Sequence, residues 1–182
     1  MFESHGKYVL RKFLNPWAER NICNSLTKNL DISNERWGLI IDDRANEMLR
    51  FSVLNTLIMT KSNLPIKIYT TEKSFSATKK LFSDILNFTN LIEINTLEID
   101  SININRYNNL LKSPNFWSGL IAEKILIFQT DALLIEPLEF SMFNYDYLGA
   151  LFSRGKSRCR RFPLFNKESK EEVGNTWITH AY

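Results

Sequence analysis

A chain of 182 residues, 44% hydrophobic and 13% aromatic, is long enough to bury a core and too apolar to read as disordered. Six Gly and five Pro exclude a collagen-like or linker-dominated chain, and a formal net charge of +3 is too mild to imply nucleic acid by itself. Cys23 and Cys159, the two cysteines, lack metal-ligand spacing and read as reduced thiols of an intracellular protein.

Residues 1–36 read as an N-terminal helical extension. It has no apolar stretch of the kind a secretory signal needs. Pro16 suits a first helical turn, and a helix beyond it places Trp17, Ile22 and Leu26 on one face. WGLIIDDR, ending at Arg44, then reads as a short buried strand that stops on Asp42 and Asp43. In NEMLRFSVLNTLIMTK, Phe51, Leu54, Leu57 and Ile58 recur at helical spacing and predict an amphipathic helix. Pro65 closes the following loop, and PIKIYTT is a second strand in which Ile66 and Ile68 alternate with Lys67.

The alternation repeats. SFSATKKLFSDILNF predicts a helix capped by Ser74, with Phe75, Leu81, Phe82 and Ile85 on one face. LIEINTLEI is a third strand, and RYNNLLKS a short helix that ends near Pro114. A fourth apolar strand, Ile125 to Phe128, runs straight into Gln129, Thr130 and Asp131. The order strand–helix–strand–helix–strand–helix–strand predicts an α/β fold, a mostly parallel, Rossmann-like sheet flanked by helices on both faces, over residues 37–152. From 153 to 182 the chain turns basic (RGKSRCRR, Arg154 to Arg161) and then polar, and reads as loop or tail. No run approaches the roughly 18 apolar residues of a membrane span. The expectation is a cytoplasmic protein, or one peripheral to a membrane surface.

Ligands of open α/β sheets bind outside the carboxyl ends of the strands. Asp42, Asp43 and Arg44 end the first strand, Tyr69, Thr70 and Thr71 the second, and Gln129, Thr130 and Asp131 the fourth. A carboxylate there can hold Mg or Mn and leave room for phosphate oxygens. Asp131 can equally serve as a cap or turn residue, and Asp42 and Asp43 as solvated strand ends. No G-x-G-x-x-G follows any strand and no P-loop occurs, which argues against a dinucleotide dehydrogenase or a Walker-type ATPase. His5 and His180, near opposite ends of the chain, enter no nucleophile pattern. Phe116, Trp117, Tyr145 and Tyr147 read as packing residues or as stacking platforms, with Trp117 assigned to the core.

The segment YNNLLKSPNFWSGLIAEKILIFQTDALLIEP, with FNYDYLGA after it, resembles a little-characterised glycosyltransferase-like family. The counterparts are Phe116 and Trp117, the Phe128–Asp131 strand end, and Tyr145 to Ala150. WGLIIDDR and the helix around Leu54, Asn55 and Thr56 look similar too, so the likeness runs over roughly residues 37–150. It implies a GT-A-like nucleotide-diphospho-sugar transferase in which Asp131 matches the metal-binding Asp of a D-x-D motif and Gln129 takes the place of the first Asp. Gln offers an oxygen without charge. The resemblance also sets Arg44 near the nucleotide, and Asp146 on the acceptor side or at the turn before Gly149. Val173, Gly174 and Asn175 match the start of a further family segment, after which the chain departs from the pattern and looks shortened.

The partners so implied are a nucleotide-sugar donor, an acceptor hydroxyl and, for a shortened chain, an oligomer or a completing partner. The alternative is a non-catalytic binding domain derived from such an enzyme. Nucleic-acid binding through Arg154–Arg161 is the weaker reading beside a solvated basic tail.

Overall fold

The computed structural model describes residues 8–26, 35–86, 90–145, 161–165 and 172–177, the last two stretches and residues 23–26 by their backbone alone. The chain divides into two compact units, Met1–Pro137 and Leu138–Tyr182.

Four apolar runs of the first unit form one sheet: β1 (Arg36–Ile41), β2 (Ile66–Thr71), β3 (Ile92–Leu97) and β4 (Lys124–Ile127). All pairings are parallel and the order is β3-β2-β1-β4. Helices supply every crossover: α2 (Glu47–Met59) after β1, α3 (Glu72–Leu81) and the single turn α4 (Ser83–Leu86) after β2, α5 (Ile104–Leu111) and α6 (Pro114–Ser118) after β3. The expected α/β fold with a parallel, Rossmann-like sheet between helical layers is therefore present.

The period-2 alternation of the strands sorts two cores. Ile40, Ile66, Ile68, Ile92 and Phe128 join Phe51, Leu54, Leu57, Phe82 and Ile85 on one face. Leu39, Ile41 and Leu97 join Tyr69, Tyr107, Leu110, Phe116 and Trp117 on the other. Gly38 is the close-approach point of the first face. A Cβ there would lie 3.1 Å from Ile66 Cγ1 and 3.3 Å from Phe128 Cε1, both buried. Gly38→Ala is expected to cost about 1–2 kcal/mol in urea unfolding, because the surrounding core has little room to yield.

Several local expectations are corrected. The helix α2 is not amphipathic: every residue from Leu49 to Leu57 except Arg50 is buried. Its outer side is covered by α1 (Asn15–Leu26) and the π-helical turn Leu10–Leu14 before it, with the Trp17 ring edge-on to Phe51 at 6.4 Å. Leu10, Ala18 and Ile22 thus belong to the main core, so the N-terminal helix is part of the first unit. Ser74 does not cap α3. Thr71 holds the N-cap position without a side-chain bond, and the Ser74 hydroxyl donates to the Asp43 carbonyl at 2.5 Å. Phe75 leaves the core face and lies half-buried under Lys79. The fourth strand is an edge strand whose residues are half-buried or exposed.

The second unit begins with a 3₁₀ turn, Phe140–Asn144, in which Phe140 and Phe143 stack at 5.9 Å. Where a loop or tail is expected, β5 (Arg161–Phe165) and β6 (Glu172–Trp177) pair antiparallel. The two phenylalanines of RFPLF, Phe162 and Phe165, favour the extended chain. Pro163, which has no N–H, sits at the register irregularity, where a ladder bond can be spared.

Candidate functional site

In the order β3-β2-β1-β4 the first three strands step one way and the fourth returns to the far side of β1. The topological switch point therefore lies between β1 and β4, and its carboxyl side is formed by Asp42–Arg44 and Gln129–Asp131.

Asp42 continues the β1 ladder, its N–H donating to the Tyr69 carbonyl at 3.0 Å. Its side chain is buried, at 7% exposure, and accepts four hydrogen bonds. Oδ1 receives the Arg44 amide (2.7 Å) and Nε (3.0 Å). Oδ2 receives Arg44 Nη2 (2.7 Å) and the Thr130 hydroxyl (3.4 Å). Four donors fill the acceptor capacity of a carboxylate. Arg44 Nη2 also donates to Thr130 Oγ1 at 3.2 Å, so one guanidinium joins the ends of β1 and β4. The Arg44 side chain is nonetheless 66% exposed, and its Nη1 has no partner among the described residues. Asp42, by hydrogen bond and then by charge, holds the guanidinium above its ordinary pKa, with smaller contributions from Asp43 and Asp131.

The polar end of β4 is a turn, closed by the Ala132 amide on the Gln129 carbonyl at 3.1 Å. Two polar residues inside the apolar α2 fix that turn from below. The Ser52 hydroxyl donates to the Thr130 carbonyl (3.0 Å). The Asn55 carboxamide bonds Leu134 twice, Nδ2 to its carbonyl (3.0 Å) and Oδ1 from its amide (2.9 Å). Asp131 stands exposed on the turn. Gln129, also exposed, donates from Nε2 to the Tyr107 hydroxyl of α5 at 3.3 Å, which leaves Oε1 to accept from elsewhere.

The remaining candidates are turned to other tasks. Asp43 accepts the Ile102 amide on Oδ2 (2.7 Å) and anchors the loop between β3 and α5. Tyr69 packs edge-on to Phe116 at 5.3 Å; burial first, and the Glu93 charge second, hold its phenol above the usual pKa. Trp117 is a packing residue, bonded through Nε1 to the Leu111 carbonyl at 2.7 Å. Thr70 is fully buried and its hydroxyl has no partner among the described residues. Arg44, Thr130 and Asp131 are thus brought together, Gln129 borders them, and Asp43, Tyr69 and Thr70 lie beneath or beside them. Asp146 and Tyr147 fall outside the described residues, as do His5, His180, Cys159 and the Cys23 side chain.

Ser52 and Tyr107 are the site residues that sequence reasoning passed over. Asp42, the first carboxylate after the apolar run of β1, reads in the sequence as a strand end open to ligand or solvent and is buried instead. Tyr107 carries no signal, because its bond to Gln129 joins residues 22 positions apart. Among the described residues no three His, Cys, Asp or Glu side chains stand together as a preformed metal centre. No helix there is long and apolar enough to cross a membrane.

Comparison with known proteins adds one match. Residues 91–176, just under half of the chain, are similar to a family of proteins of unknown function, DUF5672. The matched stretch runs from the start of β3 into β6 and includes Phe116–Trp117, the Gln129–Asp131 turn and the Tyr145–Ala150 segment. No curated protein and no solved structure matches the chain.

Proposed function

We propose that the chain binds a nucleotide-diphospho-sugar at the carboxyl ends of β1 and β4 and acts as a glycosyltransferase-like protein. The observation that carries this reading is the Arg44 guanidinium. It is held on one edge by the buried Asp42 and left open at Nη1, beside Asp131, at the switch point of a parallel sheet. An exposed arginine at the mouth of the sheet suits the diphosphate of such a ligand, since its planar fork of N–H donors matches phosphate oxygens.

The residues fit a divalent cation only as a shared ligand set. Asp42 is saturated by Arg44 and Thr130, and one Asp43 oxygen is taken by Ile102. Asp131 and Gln129 Oε1 remain. With the ligand's diphosphate and water they would complete the oxygen shell that Mg or Mn accepts. Such a cation would neutralise charge that grows on a departing diphosphate. Tyr107 orients the Gln129 oxygen, and Ser52 and Asn55 hold the turn that presents Asp131.

The reading is tested by calorimetric titration of nucleotide-sugars with and without Mn. One member of the panel is expected to bind, with Mn strengthening binding at least tenfold in the parent and by less than twofold in Asp131→Ala. Equal Mn dependence in both proteins removes Asp131 from the site, and no binding across the panel removes the reading. Binding with no transfer or hydrolysis assigns the chain to the non-catalytic alternative.

A further inference from the structure

The buried hydroxyl of Thr70 is the least explained polar group at the site. It is 0% exposed, it has no partner among the described residues, and an unmet buried donor of this kind destabilises the folded chain. Its position on the sheet supplies a reason. The β1–β2 register runs to Ile41 opposite Tyr69, and the Asp42 amide bond to the Tyr69 carbonyl carries the ladder one step further. Asp42 and Thr70 are therefore lateral neighbours on adjacent strands, about 4.8 Å apart along the hydrogen-bonding direction. They leave the sheet on the same face, the face of Ile40 and Ile68. Thr70 makes no bond to this neighbouring carboxylate, whose two oxygens are taken by Arg44 and Thr130.

We propose that Thr70 is a reserve donor for Asp42, so that Arg44 has two states: paired with Asp42, or released to an anionic ligand while the Thr70 hydroxyl takes its place. This rests on the proposed anion-binding role of Arg44. The Nε–Nη2 edge of the guanidinium is spent on Asp42 in the free protein, and the second Nη2 bond goes to Thr130. A ligand that takes that edge draws Arg44 away and leaves a buried carboxylate short of two donors, which is costly on its own. A change of the Thr70 rotamer restores one of them. The Arg44 amide and Thr130 retain theirs.

A double-mutant cycle tests the device without any ligand. Thr70→Val in the parent removes an unmet hydroxyl and is expected to leave the urea midpoint unchanged or raise it. In an Arg44→Ala background Thr70 is already engaged, so the same substitution is expected to lower the folding equilibrium constant about tenfold, a coupling within the usual range for contacting residues. Thr70→Ser restores stability in that background. An Arg44→Lys background serves if the alanine variant does not fold. The same effect of Thr70→Val in both backgrounds, or a clear loss in the parent, overturns the proposal.

The second arm titrates pyrophosphate. Thr70→Val is expected to weaken its binding about tenfold, and Thr70→Ser to leave it near the parent value. Pyrophosphate binding that ignores Thr70→Val, in a protein whose cycle shows the reversal, overturns the ligand-driven switch. Failure of the parent to bind pyrophosphate removes the anion-binding role of Arg44, while the cycle still decides whether Thr70 and Arg44 compete for Asp42.

Discussion

Asn55→Ala is expected to lower the free energy of unfolding by about 2–4 kcal/mol, the largest loss from any single polar side chain of the first unit. Asn55 is 4% exposed in the middle of α2 and makes both of its bonds to the backbone of one residue, Leu134. Alanine removes donor and acceptor together. It leaves a part-buried amide and a part-buried carbonyl of a loop segment without partners, where water has limited access. Asn55→Asp separates the two bonds. It keeps the acceptor for the Leu134 amide, opposes the carbonyl with a charge, and is expected to be at least as damaging as alanine. Ser52→Ala removes one hydroxyl bond to the Thr130 carbonyl and is expected to cost less than half as much. Urea unfolding with an unchanged m-value reads all three. A loss below about 0.5 kcal/mol for Asn55→Ala would mean that the loop repairs its own hydrogen bonds, and that α2 does not position the Asp131 turn.

That clamp also shows which part of the site could be read in advance. The strand ends were legible because an apolar run that stops on charged residues has one natural place in a parallel sheet. WGLIIDDR and ILIFQTD both obey that rule, and they bring Asp42, Arg44, Thr130 and Asp131 to neighbouring strands. The helix between β1 and β2 was legible as a helix but not in its burial. A helix covered on one side shows one apolar stripe, whereas α2 is covered by the sheet and by α1, so its polar residues sit inside. Ser52, Asn55 and Thr56 therefore look in the sequence like part of a solvated face, and they are buried backbone ligands. The split of the candidates between two sheet faces was implicit in the alternation. Asp43 and Tyr69 differ in parity from Asp42 and Thr70, and parity decides whether a side chain meets α5 and α6 or the α2 layer. What spacing alone does not carry is which pairs form across strands. The Asp42–Arg44–Thr130 union depends on register between β1 and β4, a non-local quantity.

Arg44→Ala carries the second large expectation. An arginine with a side chain 66% exposed would ordinarily be worth less than about 1 kcal/mol as an ion-pair partner. Here the asymmetry of the pair decides the outcome. Its carboxylate is 7% exposed, and alanine withdraws the Nε and Nη2 bonds while the charge stays buried. The expected loss is about 2–3 kcal/mol in urea unfolding at neutral pH. The diagnostic variant is the pair Asp42→Asn, Arg44→Ala. If the loss comes from an uncompensated charge, neutralising that charge returns most of the stability, so the double variant should be more stable than Arg44→Ala alone. If the loss comes from the missing aliphatic stem of the arginine, the double variant gains nothing. The same comparison separates fold from site. Asp42→Asn, Arg44→Ala restores stability without restoring a guanidinium, and it is expected to remain unable to bind the nucleotide-sugar that the parent binds. A stable double variant with undiminished ligand affinity would leave the diphosphate without an arginine and move the binding site away from the switch point between β1 and β4.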